Sequence, residues 1–212
     1  MGSNHYHFQN EIRSTIEGSI SVKEQVIQHN VDQINDVANT LITALNNDKK
    51  ILWCGNGGSA ADAQHLACEL VSKFFAERPA LRSLALTTNT SILTAVSNDF
   101  VYDDVFARQV EAIADPGDIL IGITTSGTSK NIIHAFKTAN EQGITTIALT
   151  GKHTDTLAPY ADYLIGVPST ITPHIQESHI MIGHILCYLI EKTLFGDKTW
   201  ATEQSLLTET EP

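Results

Sequence analysis

Cysteine is scarce in this chain. Its three residues, Cys54, Cys68 and Cys187, are odd in number and form no CxxC pair. That excludes a disulfide framework as the basis of the fold and points to a reducing compartment. Basic residues are also few: 13 Lys and Arg face 24 Asp and Glu, for a net charge of -11. A broad basic surface for nucleic-acid phosphates is thereby excluded, so any anionic ligand must be held locally against an unfavourable overall field. Low-complexity runs are missing, and 42% hydrophobic against 17% charged residues describes a folded globular chain. Long apolar runs are missing as well. The longest candidate, "HIMIGHILCYLI" at 179–190, is much shorter than the roughly 20 residues that span a bilayer, and two histidines interrupt it, so it reads as a core helix. The opening "MGSNHYHFQNEIRS" has no basic start followed by an apolar segment, hence no signal peptide, and the expected location is the cytoplasm.

What is present is room for one domain of ordinary size, 212 residues, with strand and helix signals in alternation. From Val22 to Leu45, apolar residues recur at three- and four-residue spacing (Val26, Val31, Ile34, Val37, Ala38, Leu41), predicting one long amphipathic helix. So extended a stripe ahead of the first strand is expected to pack both on its own domain and on a partner subunit. Strands are predicted near 50–54, 83–87, 118–123, 144–149 and 162–167. Helices are predicted over 59–76, 129–142 and 174–195, with helical pieces across 90–112. That order predicts an α/β three-layer sandwich: a parallel sheet covered by helices on both faces. The division expected is a helical segment over 1–48, an α/β domain over 49–196 and a polar, acidic tail over 197–212.

In an open parallel sheet, ligands bind at the carboxyl ends of the strands. Two strand ends carry unusual loops. The first, Gly55-Asn56-Gly57-Gly58-Ser59, lets backbone N–H groups approach a ligand, with Ser59 available to cap the next helix. The second, Thr124-Thr125-Ser126-Gly127-Thr128-Ser129, sets five hydroxyls around one glycine at a helix start, which suits a phosphate without a lysine. Either loop alone could be an ordinary turn. At equivalent places in one sheet, the pair points to a phosphate or sugar site.

His65 and Glu69 are four apart, so a helix puts both on one face. The last helix carries Gln176, Glu177, His179 and His184 in an otherwise apolar segment, and buried polar groups need partners. Spacing leaves open whether His179 or His184 shares a site with Gln176. An imidazole, carboxylate and amide set suits zinc among available metals.

Together, "CGNGGSAADAQHLACEL", "SNDF", "GDILIGITTSGTSKNI", "IALTGK" and "IQESHIMIGHIL" resemble the phosphoheptose isomerases, enzymes of the sugar isomerase (SIS) domain family, over about residues 20–195. The resemblance implies a flavodoxin-like sandwich behind a long N-terminal helix, a homotetramer with active sites at subunit interfaces, and one Zn2+ per subunit. The implied reaction converts sedoheptulose 7-phosphate to glycero-manno-heptose 7-phosphate, for the heptose of lipopolysaccharide. By motif, it implies metal ligands at His65, Glu69, Gln176 and His184 and a catalytic pair at Glu69 and His184. Implied substrate contacts are Asn56, Gly57, Gly58, Ser59, Glu69, Asn98, Asp99, Thr124, Thr125, Ser126, Ser129 and Gln176. Three positions depart from the family pattern: Thr124 where serine is frequent, Lys73 where an arginine is common, and Pro173-His174 ahead of Gln176. The alternative from another class is a non-catalytic binding protein of the same fold, resembling the DnaA initiator-associating protein, a relative in which the catalytic Glu and His are replaced. Both are present here. An isomerase of another sugar phosphate is the remaining alternative.

Overall fold

The computed structural model describes residues 7–196. The acidic tail expected over 197–212 lies outside the described residues, as do the first six of the N-terminal segment. In chain order the elements are α1 (Gln9–His29), α2 (Val31–Asn46), β1 (Ile51–Gly55), α3 (Gly58–Val71), β2 (Ser83–Ala85), α4 (Thr90–Asp99), α5 (Ala107–Ile113), β3 (Ile119–Ile123), α6 (Lys130–Glu141), β4 (Thr145–Thr150), β5 (Tyr163–Gly166) and α7 (Thr172–Phe195). A 3-10 turn at Tyr102–Asp104 precedes α5.

The five strands form one parallel sheet in the order β2-β1-β3-β4-β5, with Gly55 of β1 in register with Ile123 of β3. Side chains alternate across it, as the period of two requires. Ile51, Trp53, Ile119, Ile121, Ile147 and Leu149 face a core closed by α1, α2, α3 and α7. Leu52, Cys54, Leu120 and Ala148 face the other core, against α5 and α6. This is the three-layer sandwich that the pattern predicts.

Two predicted helices end differently. The single helix over 22–45 is a pair, α1 starting earlier and meeting α2 at Asn30. Asn30 is buried with non-helical backbone angles (φ -120, ψ -4), and its amide reaches Gln33 and the Gly166 carbonyl, tying the bend to the end of β5. Residues 59–76 do not stay helical to the end: α3 stops at Val71, and the amides of Phe74, Phe75 and Ala76 turn to the Glu191 carboxylate of α7 instead. The apolar stripe divides in the same way. Val22, Val26, Ile34, Val37, Ala38, Leu41 and Ala44 are buried in the chain's own core, whereas Ile27 and Val31 are more than half exposed. The exposed face runs on upstream through Ile12, Ile16 and Ile20, beyond the residues where the periodicity was most evident.

Candidate functional site

The order β2-β1-β3-β4-β5 reverses direction between β1 and β3, and a crevice opens at such a switch point, outside the carboxyl ends of the two strands. Both unusual loops lie there, one after Gly55 and the other after Ile123. The helices that follow leave on opposite faces, α3 with α7 and α6 with α5.

The first loop starts α3 through Gly57, whose φ of +57° is strained for any residue with a Cβ. Gly57 also occupies the N-cap, so Ser59 does not cap the helix as expected: it lies inside the first turn and is buried. Gly58 gives up its side-chain volume to Gln176, whose Nε2 lies 2.6 Å from where a Cβ would sit. Asn56 is tied across the crevice. Its amide exchanges hydrogen bonds of 2.9 and 2.8 Å with Asn131 of α6, and its Oδ1 also accepts from the Tyr102 hydroxyl at 2.9 Å. Asn131 and Tyr102 escaped the sequence reading, although a polar Asn just inside an amphipathic helix was a usable signal.

In the second loop, Thr124 is buried with its Oγ1 3.0 Å from Ser129 Oγ, and Ser126 Oγ accepts from the amide and hydroxyl of Thr128 at 3.2 and 3.1 Å. Gly127, at φ +68°, packs on the His153 carbonyl, leaving no space for a Cβ. Ser126 and Thr128 remain exposed, Thr125 and Ser129 partly so. Asn98 and Asp99 close α4 on the surface, bonded to each other at 2.8 Å and four and three residues ahead of Tyr102.

Along α3, His65 and Glu69 share a face, Nε2 to Oε1 3.1 Å. Opposite stands His184 of α7, its Nε2 3.4 Å from that of His65. Close approach of the two helices permits this: a Cβ at Gly183 would lie 2.5 Å from the Leu66 methyls. Burial first, then the neighbouring His65, depresses the His184 pKa below its ordinary value, with Glu69 opposing. His179 points elsewhere. It is fully buried, donates from Nε2 to the Thr150 carbonyl at 2.9 Å, and burial pushes its pKa down to about 4. His184 therefore meets His65 and His179 does not, while the question that spacing left, which of the two shares a site with Gln176, stays open because Gln176 lies with neither.

Ligands about 2.1 Å from a tetrahedral centre stand about 3.4 Å apart. The His65–Glu69 and His65–His184 separations fall near that edge length, and two ring nitrogens facing each other suit a shared cation better than a shared proton. The trio is an open chain centred on His65. Among the described residues, no three His, Cys, Asp or Glu side chains are arranged to hold a metal ion as they stand. Gln176 is not with them: it rests against Gly58, eight residues and so about 12 Å along α7 from His184. Among the departures, Lys73 is exposed beyond the end of α3, Pro173 sits in the first turn of α7, and His174 is buried against Gly18 of α1.

Known proteins resemble this chain in sequence and fold. The SIS domain model matches residues 16–151. The phosphoheptose isomerase of Sulfurimonas denitrificans is 50% identical over 188 residues, covering 88% of this chain and 96% of its own. That of Clostridium acetobutylicum is 51% identical over 192 residues, covering 90% and 98%. The solved structure of the phosphoheptose isomerase from Neisseria gonorrhoeae superposes with a TM-score of 0.83 at 41% identity, over 88% of this chain and all of that one. Among the described residues, no helix is long and apolar enough to cross a membrane. With a switch-point crevice between a glycine-rich and a hydroxyl-rich loop and these relatives matched nearly end to end, the chain belongs to the SIS domain family and, within it, to the phosphoheptose isomerases.

Proposed function

We propose that this protein isomerises sedoheptulose 7-phosphate to glycero-manno-heptose 7-phosphate by proton transfer between adjacent carbons through an enediol. The observation that carries this reading is the convergence of His65, Glu69 and His184 between α3 and α7, in a chain that also sets a hydroxyl-lined loop at its switch point. Aldose–ketose isomerisation needs a base over the C1–C2 edge, an acid/base partner for the oxygens, and a grip on the remote phosphate. Glu69 is the base. His184 exchanges the hydroxyl proton or assists ring opening. Thr125, Ser126 and Ser129 hold the phosphate, with Thr124 fixing the loop from beneath. That remote binding energy orients the carbon chain for proton transfer. The backbone of Gly57 and Gly58 and the side chains of Ser59, Asn98, Asp99 and Gln176 complete the substrate contacts, and Asn56 joins them while bracing the two loops.

The donor set fits zinc, which His65, Glu69 and His184 would hold, with Gln176 entering only after leaving Gly58 or from a neighbouring subunit. Glu69 loosens from the metal when substrate is present, so that its carboxylate is free to act as base. Zinc bound there would supply Lewis-acid stabilisation of the developing oxyanion. The assembly is a homotetramer with active sites at subunit interfaces, supported by the exposed isoleucines of α1. Residues 1–48 serve that assembly and 49–196 the chemistry. The product serves lipopolysaccharide heptose synthesis, and the location is cytoplasmic.

The test is turnover of sedoheptulose 7-phosphate against shorter ketose phosphates, with zinc content measured alongside. Glu69→Gln keeps the size of the side chain but removes the basic carboxylate, so kcat should fall on the order of 100- to 10,000-fold with the assembly intact. Near-wild-type turnover by that variant would remove Glu69 from the role of base. A wild-type protein, zinc-loaded, that turns over no ketose phosphate would leave a binding module of the same fold.

A further inference from the structure

Glu191 is a charged residue in the core, 3% exposed, on the same helix as His184 and seven residues beyond it. Seven residues are two turns, so both side chains lie on one face of α7. Four donors converge on its carboxylate. Oε1 accepts the amides of Phe75 at 2.8 Å and Ala76 at 2.7 Å, and Oε2 accepts the amide of Phe74 and Nε of Arg78, each at 3.1 Å. Burial would push such a carboxyl up. The amides of Ala76, Phe75 and Phe74, then the guanidinium, more than reverse this and hold it below its ordinary value.

The guanidinium carries the connection onward. Arg78, its side chain 1% exposed, donates from Nη2 to the Glu69 carbonyl at 2.8 Å and from Nη1 to the Leu70 carbonyl at 2.7 Å. Carbonyls in the last turn of a helix lack intrahelical partners, so this bond sets how the end of α3 lies. Phe74, whose amide Glu191 holds, places its ring 5.6 Å from the His184 ring, inclined by 36°. One buried carboxylate thus bears on both members of the proton-transfer pair, on Glu69 through Arg78 and on His184 through Phe74.

We propose that Glu191 is a positioning residue for the isomerisation: with Arg78 it fixes the last turn of α3 under Glu69, and it holds the Phe74 ring against His184. This rests on the assignment of Glu69 and His184 to proton transfer. A carboxylate suits the task better than a neutral group because only acceptor oxygens can take four donors at once. The loop from 72 to 78 is otherwise an irregular connection, and the clamp converts it into a fixed wall of the site.

The test compares wild type with Glu191→Gln. The amide keeps the size but puts an NH2 among N–H donors, so at least one loses its acceptor. Expected are an unchanged oligomeric mass, a KM and an inhibition constant for inorganic phosphate within about twofold of wild type, and a kcat about 10- to 100-fold lower per folded subunit. The isotope effect on kcat with ketose deuterated at C1 should rise, because a displaced base makes proton abstraction more rate-limiting. A contribution to folding alone lowers the folded fraction and leaves the isotope effect where it was. A kcat per folded subunit or an isotope effect at the wild-type value overturns the proposal. If Glu191→Gln does not assemble, Phe74→Leu decides by the same two readouts, since it leaves the clamp's backbone bonds in place. Wild-type protein without turnover overturns the isomerase reading and this proposal with it. Wild-type turnover with an unaffected Glu191→Gln overturns this one alone.

Discussion

Replacing Gly183 by alanine tests whether the spacing of α3 and α7 sets the site. The added Cβ would meet both Leu66 methyls at 2.5 Å and Leu66 Cγ at 3.0 Å. Carbon atoms rest about 3.5–4.0 Å apart, so relief needs a shift of about 1 Å. Leu66 is fully buried and both its methyls and its Cγ are close, so a rotamer change does not provide that shift, and the helices must part. Overpacking costs about 1–3 kcal/mol, and the gain in helix propensity from Gly to Ala returns about 1 kcal/mol. The net loss is at most about 2 kcal/mol, a fall in Tm of no more than about 8 °C for a chain of this size. His65 and His184 adjoin the two clashing residues, so the same shift opens their 3.4 Å contact by about 1 Å. Misplacement on that scale costs about 100-fold in turnover. The assay is kcat per folded subunit beside thermal melting. Adding Leu66→Ala should recover turnover relative to the single variant while lowering Tm further, because a buried Leu→Ala costs about 2–5 kcal/mol. Turnover of Gly183→Ala within about threefold of wild type would refute the reasoning, as would a double variant whose activity falls in step with its Tm.

Ser126→Ala removes the hydroxyl of an exposed residue; losing about 1 kcal/mol of uniform binding should raise KM about fivefold with kcat nearly constant. A kcat loss at unchanged KM would place Ser126 in the chemistry instead. His179 has a folded pKa of about 4 against about 6.5 when unfolded, so acid charges the unfolded chain first. Its contribution is intact above about pH 6.5 and is lost as pH falls toward 4, on the order of 2 kcal/mol by pH 5. Denaturant titrations of His179→Gln should show a flatter stability profile between pH 7 and 5, and parallel profiles would show that His179 is not the sensor. Ile16→Asp puts a charge on the exposed face of α1; by light scattering the mass should drop from a multiple of 23.1 kDa toward that of one chain. A wild-type mass of 23.1 kDa would remove the basis for a shared active site.

Most of the architecture was legible because local pattern and tertiary demand agree. Runs such as Ile51–Gly55 and Ile119–Ile123 are buried on both faces of the sheet, and continuous apolar stretches broken by glycine loops encode that directly. The helix pair His65 and Glu69 followed from a spacing of four alone. The ends of elements were less legible, because long-range partners set them. Asn30 bends the N-terminal helix by reaching Gly166, and Glu191 ends α3 from 115 to 117 residues away. Neither signal exists within a local window.

The sequence by itself determined the alternation of strands and helices, the glycine-rich and hydroxyl-rich loops, and the residue types of the candidate site, because those depend on periodicity and on the chemistry of short motifs. Only the tertiary structure decided that β1 and β3 are neighbours at the reversal of strand order, that Gly183 brings His184 rather than His179 to His65, and that Gln176 rests against Gly58 two turns away. The physical reason is packing. Each of these depends on how closely two separate surfaces approach, and a distance between helices is a property of the volumes on both.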